Sequence, residues 1–345
     1  MRVLVTGHLG YLGGVLVPVL MGAGHEIVGM DSGLFADCLL GPAVADPGGY
    51  RIDIRDATEE HFRGVDAVVH LAALSNDPLG HLAPEMTYEI NHHASVRLAA
   101  LAKAAGVRRF LYASTCSVYG AAGDELVNEE AALRPVTPYA ESKVRVEDDL
   151  RELADDHFSP VFLRNATAFG ASPRQRVDIV LNNLVGYAML TGQVRVLSDG
   201  TPWRPLVHVR DIAAAFLAAL QAPRHAVHSA AFNVGLATNN LTVAQIAEAV
   251  VATIPGSSLL ITGENGADPR SYRVDFSRIR DRIPAFAPRW SVGDGAEELH
   301  ATYSAYGLTS ADFHERFTRL AWLTGLRDRG RLAEDLRPAK LASVR

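Results

Sequence analysis

Apolar positions change period several times along the chain. Val3, Leu4 and Val5 form a continuous run, too short for a helix and suited to a strand buried on both faces. Residues 15–20 then carry an apolar face that stops at Gly22-Ala23-Gly24, which predicts a helix closed by a glycine cap, with Pro18 as an irregularity near its start. Strand-like runs follow at 25–31, 50–56, 66–73, 108–115 and 160–164. Helical period returns over 84–105 in Tyr88, Ile90, Val96, Leu98 and Leu101, closed by Gly106. Strands alternating with helices predict an α/β fold, a Rossmann-type doubly wound parallel sheet.

Beyond Gly170 the alternation loosens. Residues 177–191, 211–221 and 243–254 read as helices, and 194–197, 204–209 and 232–235 as short strands. This predicts a nucleotide-binding domain over 1–170 and a smaller substrate-binding α/β region over 171–345, with some of its chain returning to the sheet. Residues 327–345 mix both charge signs and read as a solvated helix and loop.

Composition narrows the partners. With 48% hydrophobic and 21% charged residues in 345, the chain has the balance of an ordinary globular protein. A net charge of -6 leaves no basic excess for nucleic acid. Cys38 and Cys116 are too few for a disulfide framework, and no apolar run approaches membrane-spanning length. The expectation is a cytoplasmic enzyme with no membrane partner.

After the first strand, Gly7, Gly10 and Gly13 recur every third residue, a turn that brings backbone N–H groups and a helix N-terminus against an anion. Asp31, ending the second strand, lies where an acid accepts hydrogen bonds from the adenosine ribose hydroxyls, and its charge would repel a 2′-phosphate. NAD is therefore favoured over NADP. Asp53-Ile54 is placed to flank adenine, and Ala72-Ala73 leave room for a cofactor.

The sharpest cluster is Thr137-Pro138-Tyr139-Ala140-Glu141-Ser142-Lys143. Thr137 and Pro138 are good helix starters, and Tyr139 and Lys143 then share one face, one turn apart. A lysine cation favours the phenolate and makes the tyrosine a usable acid or base. Thr115, at the end of the fifth strand, can align the reacting oxygen. His92-His93 point apart on a helix and lack further ligands, so no metal site is expected.

Together these features resemble the extended short-chain dehydrogenase/reductase superfamily, in particular NAD-dependent nucleotide-sugar epimerases and dehydratases of the UDP-glucose 4-epimerase type. The resemblance covers about residues 1–285. It implies NAD contacts from Gly7, Gly10, Tyr11, Leu12, Gly13, Asp31, Asp53, Ile54, Leu71, Ala72, Ala73 and Asn91, shared with Tyr139 and Lys143. It implies Thr115, Tyr139 and Lys143 as the catalytic set. Ser75, Asn76, Thr115, Thr167, Asn183, Leu184, Arg204 and Arg270 are the implied contacts of a nucleotide-diphosphate sugar, the two arginines facing its phosphates. A homodimer built through a four-helix bundle, including the tyrosine–lysine helix, is also implied.

Two departures bear on the reaction. The 4,6-dehydratases of the family carry an Asp-Glu pair after the strand-end threonine, where this chain has Cys116 and Ser117. Thr167 stands at the usual place of an asparagine, with Asn165 nearby. The expectation is an epimerase acting by transient oxidation at sugar C4 with Tyr139 as acid/base. A 4-dehydrogenase or 4-ketoreductase is the alternative, ahead of a 4,6-dehydratase or a non-enzymatic NAD-binding protein.

Overall fold

The computed structural model describes residues 1–42, 44, 46–75, 84–123, 125–264 and 271–339. Seven parallel strands form the main sheet: β1 (Arg2–Thr6), β2 (Glu26–Met30), β3 (Gly49–Tyr50), β4 (Ala67–His70), β5 (Arg109–Thr115), then β7 and β11 beyond a small β6 (Leu126–Val127). β7 is Ser159–Asn165 and β11 is Ala230–Val234. Their spatial order is β11-β7-β5-β4-β1-β2-β3. The chain moves outward to β2 on one side of β1 and returns to β4 on the other. The turn after β1 therefore sits at the point where strand order reverses, where this architecture binds ligands. Val3, Leu4 and Val5 are wholly buried, as an all-parallel sheet covered on both faces requires.

The first helix, Gly13–Gly22, accommodates Pro18, and Gly24 follows at φ +82°. The tyrosine–lysine helix spans Pro138–Leu153, with Thr137 accepting from the Ala140 N–H at 3.1 Å. Its long face packs beside the helical stretch that includes Ala94–Ala104. A π-turn, Glu89–His93, interrupts that stretch where a single helix is expected. Asn91 lies within it and grips the Leu74 backbone, its Oδ1 accepting from Leu74 N at 2.8 Å and its Nδ2 donating to Leu74 O at 3.0 Å.

Past β8 (Thr167–Phe169) come the helix Val180–Thr191, β9 (Gln193–Val196), β10 (Trp203–His208) and the helix Val209–Gln221. After β11 returns to the main sheet, further chain surrounds a separate hydrophobic core containing Phe169, Leu184, Leu206, Val250 and Leu299.

Two segments depart from the expected pattern. Residues 50–56 are not a strand: β3 stops at Tyr50, and a 3₁₀ turn over Ile54–Asp56 follows. Asp53 caps that turn, accepting from Arg55 N at 2.9 Å, so local side-chain bonding displaces the ladder. The C-terminal segment is also more than a solvated tail. After the helix Arg319–Asp328, Leu332 and Leu336 are buried with Leu323, Leu326, Met30, Ile54 and Phe62 in a core packed against the main sheet. Apolar burial at these positions outweighs the mixed surface charge.

Candidate functional site

A cleft of about 520 Å³ opens over the C-terminal ends of the strands. Its inner wall begins at the glycine turn. Gly7 has φ +72°, and a Cβ there would sit 2.8 Å from Ala72 N, while one at Gly13 would collide with the Gly7 carbonyl oxygen. Only glycines let β1, the turn and the Ala72 segment approach this closely. Gly7, Gly10, Tyr11 and Leu12 line the cleft, whereas Gly13 packs behind the turn. Tyr11 ties the turn to the second region, donating to Gly170 O at 2.8 Å and accepting on its carbonyl from Ser172 Oγ at 2.8 Å.

Asp31 reaches the cleft with its carboxylate held by Leu9 N at 3.1 Å and Gly33 N at 2.6 Å. Asp53 and Ile54 line the same end. Burial pushes the Asp53 carboxyl up, but hydrogen bonds and charge from Arg55 outweigh it and hold the group below its ordinary range. Leu71, Ala72 and Ala73 form the next stretch of wall. Behind them Thr6 Oγ1 bonds Ala72 N at 3.2 Å and His70 Nδ1 at 2.6 Å, and His70 Nε2 meets Ser95 Oγ at 2.8 Å. Burial, aided by the Lys143 charge, drives His70 down to about 3, so it is a neutral brace. Asn91 lies outside the lining and supports it through Leu74.

Thr115, Tyr139 and Lys143 converge at the far end of this wall. Lys143 is buried, with Nζ donating to Ala113 O at 2.8 Å and lying 4.6 Å from the Tyr112 ring centre and 5.7 Å from that of Tyr139. Burial pulls its ammonium down to about 7, against an opposing pull from Glu147. Burial thus brings the proton loss of Lys143 down from its usual range toward neutrality. One turn on, the buried Glu147 accepts from Ser114 Oγ at 2.6 Å and from Arg164 Nη2 at 2.6 Å. The Ser114 hydrogen bond ties the tyrosine–lysine helix to β5, and the Arg164 ion pair ties it to β7.

Cys116 and Ser117 sit directly after Thr115. Cys116 is wholly buried, its Sγ donating to Arg164 O at 3.1 Å, and burial pushes its thiol strongly up. It has no access to the cleft and no tendency to ionise. Ser117 does line the cleft, its N–H donating to Thr115 Oγ1 at 3.1 Å.

The expected substrate contacts divide. Ser75, Thr167 and Arg204 line the cleft with Thr115, and Asn165 joins them. Asn183 and Leu184 do not: Asn183 Nδ2 bonds Val177 O at 3.1 Å, and Leu184 is buried in the second core. Ile179 and Val180, just before them, form the wall instead. Asn76 and Arg270 lie outside the described residues. Among the described residues no group of three or more metal-ligating side chains occurs. His92 is half-buried and drawn to Asp149 at 2.6 Å, while His93 is exposed.

The outer wall holds residues not singled out from sequence. Arg176 Nε pairs with Asp178 at 2.6 Å, while its Nη1 and Nη2 donate to Ser75 Oγ and O, both at 3.0 Å. Arg319 lines the cleft from the C-terminal helix. The Arg176–Asp178 spacing just beyond the β8 glycine was a usable signal; nothing local marked Arg319.

This arrangement fits a dinucleotide: a close-packed glycine turn, an acid at the end of β2, and a narrow cleft leading to a tyrosine–lysine pair. The model of the NAD dependent epimerase/dehydratase family matches residues 3–235. This chain belongs to that family. Its relatives include UDP-glucose 4-epimerase of Bacillus subtilis, 30% identical over 69% of this chain and 78% of that protein. UDP-glucose 4-epimerase 2 of Oryza sativa subsp. japonica is 29% identical over 90% and 84%. Among solved structures, MoeE5 in complex with UDP-glucuronic acid and NAD is 26% identical, with a TM-score of 0.74 over 88% of this chain and 99% of that one. The UDP-glucuronic acid 4-epimerase of Bacillus cereus shares the fold at a TM-score of 0.74 and 23% identity, covering 90% and 100%. As in other members of the NAD-dependent epimerase/dehydratase family, the cofactor is NAD. No helix among the described residues is long and apolar enough to cross a membrane.

Proposed function

We propose that the protein is a nucleotide-sugar 4-epimerase that oxidises and re-reduces C4 of a UDP-linked hexose or hexuronate. The observation that carries this reading is the joint position of Thr115, Tyr139 and Lys143 in one cleft with the glycine turn and Asp31. The relatives that are UDP-glucose 4-epimerases supply the nucleotide and the position of reaction.

Gly7, Gly10, Leu12, Asp31, Asp53, Ile54, Leu71, Ala72 and Ala73 hold NAD in this reading, with Gly13 and Asn91 supporting their backbone. Bound there, NAD supplies a hydride acceptor and then a hydride donor. Lys143 favours the phenolate of Tyr139, which takes the proton of the sugar 4-hydroxyl and becomes the neutral phenol, while Thr115 holds the oxygen in line. Ser75, Thr167, Arg204 and Arg176 hold the nucleotide sugar while the ketone turns over. Tyr139 then returns the proton to the new alkoxide, so no net redox occurs.

Burial of the Cys116 thiol favours this over a 4,6-dehydratase, which needs an acid and a base around the sugar 5 and 6 positions. We further infer a homodimer formed on the face of Pro138–Leu153 and its neighbouring helix, acting in the cytoplasm, where the free thiols Cys38 and Cys116 persist. The functional test incubates the protein with UDP-glucose and UDP-glucuronate while resolving products and following nicotinamide absorbance. Conversion to the 4-epimer without accumulating reduced cofactor is expected. Stoichiometric reduced cofactor or loss of water would overturn the epimerase reading.

A further inference from the structure

The C-terminal segment reaches the cofactor end of the cleft from outside the residues matched by the family. Trp322 Nε1 donates to Leu34 O at 2.7 Å, and Arg55, the partner of Asp53, donates through Nη2 to Asp335 O at 2.8 Å. Arg337 pairs with Asp56 beside it. These bonds fix Leu34, Phe35 and Asp53, the residues that flank Asp31 at the adenosine end.

Arg319 stands in the middle of this strap. It is 5% exposed, its guanidinium carbon lies 4.4 Å from the Phe35 ring centre, and its Nη2 reaches Arg174 O at 3.4 Å. Nη1 is buried with no hydrogen-bond partner among the described residues, although the residue lines the cleft. A buried guanidinium N–H left without an acceptor is costly, and a bound anion supplies one. Burial lowers the guanidinium to about 10, with the Arg176 charge acting the same way and Cys38 and Asp178 opposing it. Arg319 lines the same cleft as Gly7 and Gly10 of the glycine turn.

We propose that Arg319 donates through Nη1 to the pyrophosphate of the bound dinucleotide, so that the C-terminal segment clamps NAD against the glycine turn. Two diphosphates enter this cleft, that of the cofactor and that of the nucleotide sugar. The strap's grip on Leu34, Phe35 and Arg55 assigns Arg319 to the cofactor, while Arg176, tied to Ser75, faces the other half. Retention of the cofactor between oxidation and re-reduction rests on the epimerase reading; the contact itself does not.

The test uses the full chain with Arg319→Met and Arg319→Lys, the lysine variant keeping the charge should the first fail to fold. Affinities for NAD and for UDP are measured separately by calorimetry, and cofactor release is timed after rapid dilution. Arg319→Met should weaken NAD about tenfold or more and speed its release, with UDP affinity within about twofold of the parent. For both variants the rise in Tm produced by NAD should shrink. Unchanged NAD affinity and release, or an undiminished Tm rise in Arg319→Lys, overturns the proposal; so does a loss confined to UDP. If NAD binding weakens as stated but the protein accumulates reduced cofactor with UDP-glucose, the contact stands and the epimerase reading fails.

Discussion

Along the inner wall, from Gly7 to Lys143, the cleft is lined by close-packed backbone, small side chains and one tyrosine–lysine pair. The outer wall, from Ser75 through Arg176 and Asp178 to Arg319, is made of long charged side chains brought together from distant parts of the chain. On the proposed reading the inner wall sets chemistry by burial, which lowers the Lys143 ammonium to about 7. On the same reading the outer wall sets affinity by charge, its guanidinium groups facing anionic ligands. A change on the inner wall should therefore act on turnover, and one on the outer wall on binding.

The largest expected effect follows from Tyr139→Phe. Removing the phenolic hydroxyl should cut kcat by roughly 10²–10⁴-fold while leaving NAD bound, read by steady-state turnover and cofactor content after gel filtration. Retained turnover would erase the distinction between the walls. Glu147→Gln comes next, because it leaves Arg164 buried beside a neutral partner; a loss on the order of 3–5 kcal/mol in urea unfolding is expected. Arg176→Met should raise the KM for the nucleotide sugar by about tenfold or more, as hydrogen bonds from a charged group are lost, with a smaller change in kcat. A collapse of kcat with unchanged KM would move Arg176 onto the catalytic wall.

The pH effect is smaller and tests burial directly. Lys143 is lowered from 10.5 to about 7, so the unfolded chain binds its proton more readily across that window. Its unfavourable contribution is fully present below about 7 and disappears as pH rises toward 10.5. Between pH 7 and 9 this group should raise the stability of the cofactor-free protein by on the order of 1 kcal/mol per pH unit. The comparison is the slope of unfolding free energy with pH for the parent and for Lys143→Met, which should lack that component. Equal slopes would show that the ammonium is not held down by burial. Thr137→Ala, which removes the cap of the same helix, should cost about 1 kcal/mol in urea unfolding.

The walls also differ in how far they could be read from sequence. The glycine turn, Asp31 and the Tyr139–Lys143 helix were legible because each depends on local spacing: a period of three glycines, a strand end, one helical turn. Residues 50–56 misled because their apolar alternation resembles a strand, while Asp53 finds closer partners in the Arg55 backbone and side chain. Arg319 depends on contacts with Phe35 and Arg174, far away in the chain. Its neighbours Leu323 and Leu326 carry a helical apolar face, but nothing local says which surface that face covers. Asn183 shows the converse: a motif position can be legible while its side chain serves the backbone of its own helix start.

An inner wall that oxidises and re-reduces one carbon without releasing the intermediate has a signature in a single-turnover experiment. Protein saturated with NAD is mixed with less than one equivalent of UDP-glucose, and nicotinamide absorbance and sugar products are followed together. A transient of reduced cofactor that decays as UDP-galactose forms is expected. Reduced cofactor that persists in step with a released 4-keto sugar would contradict it.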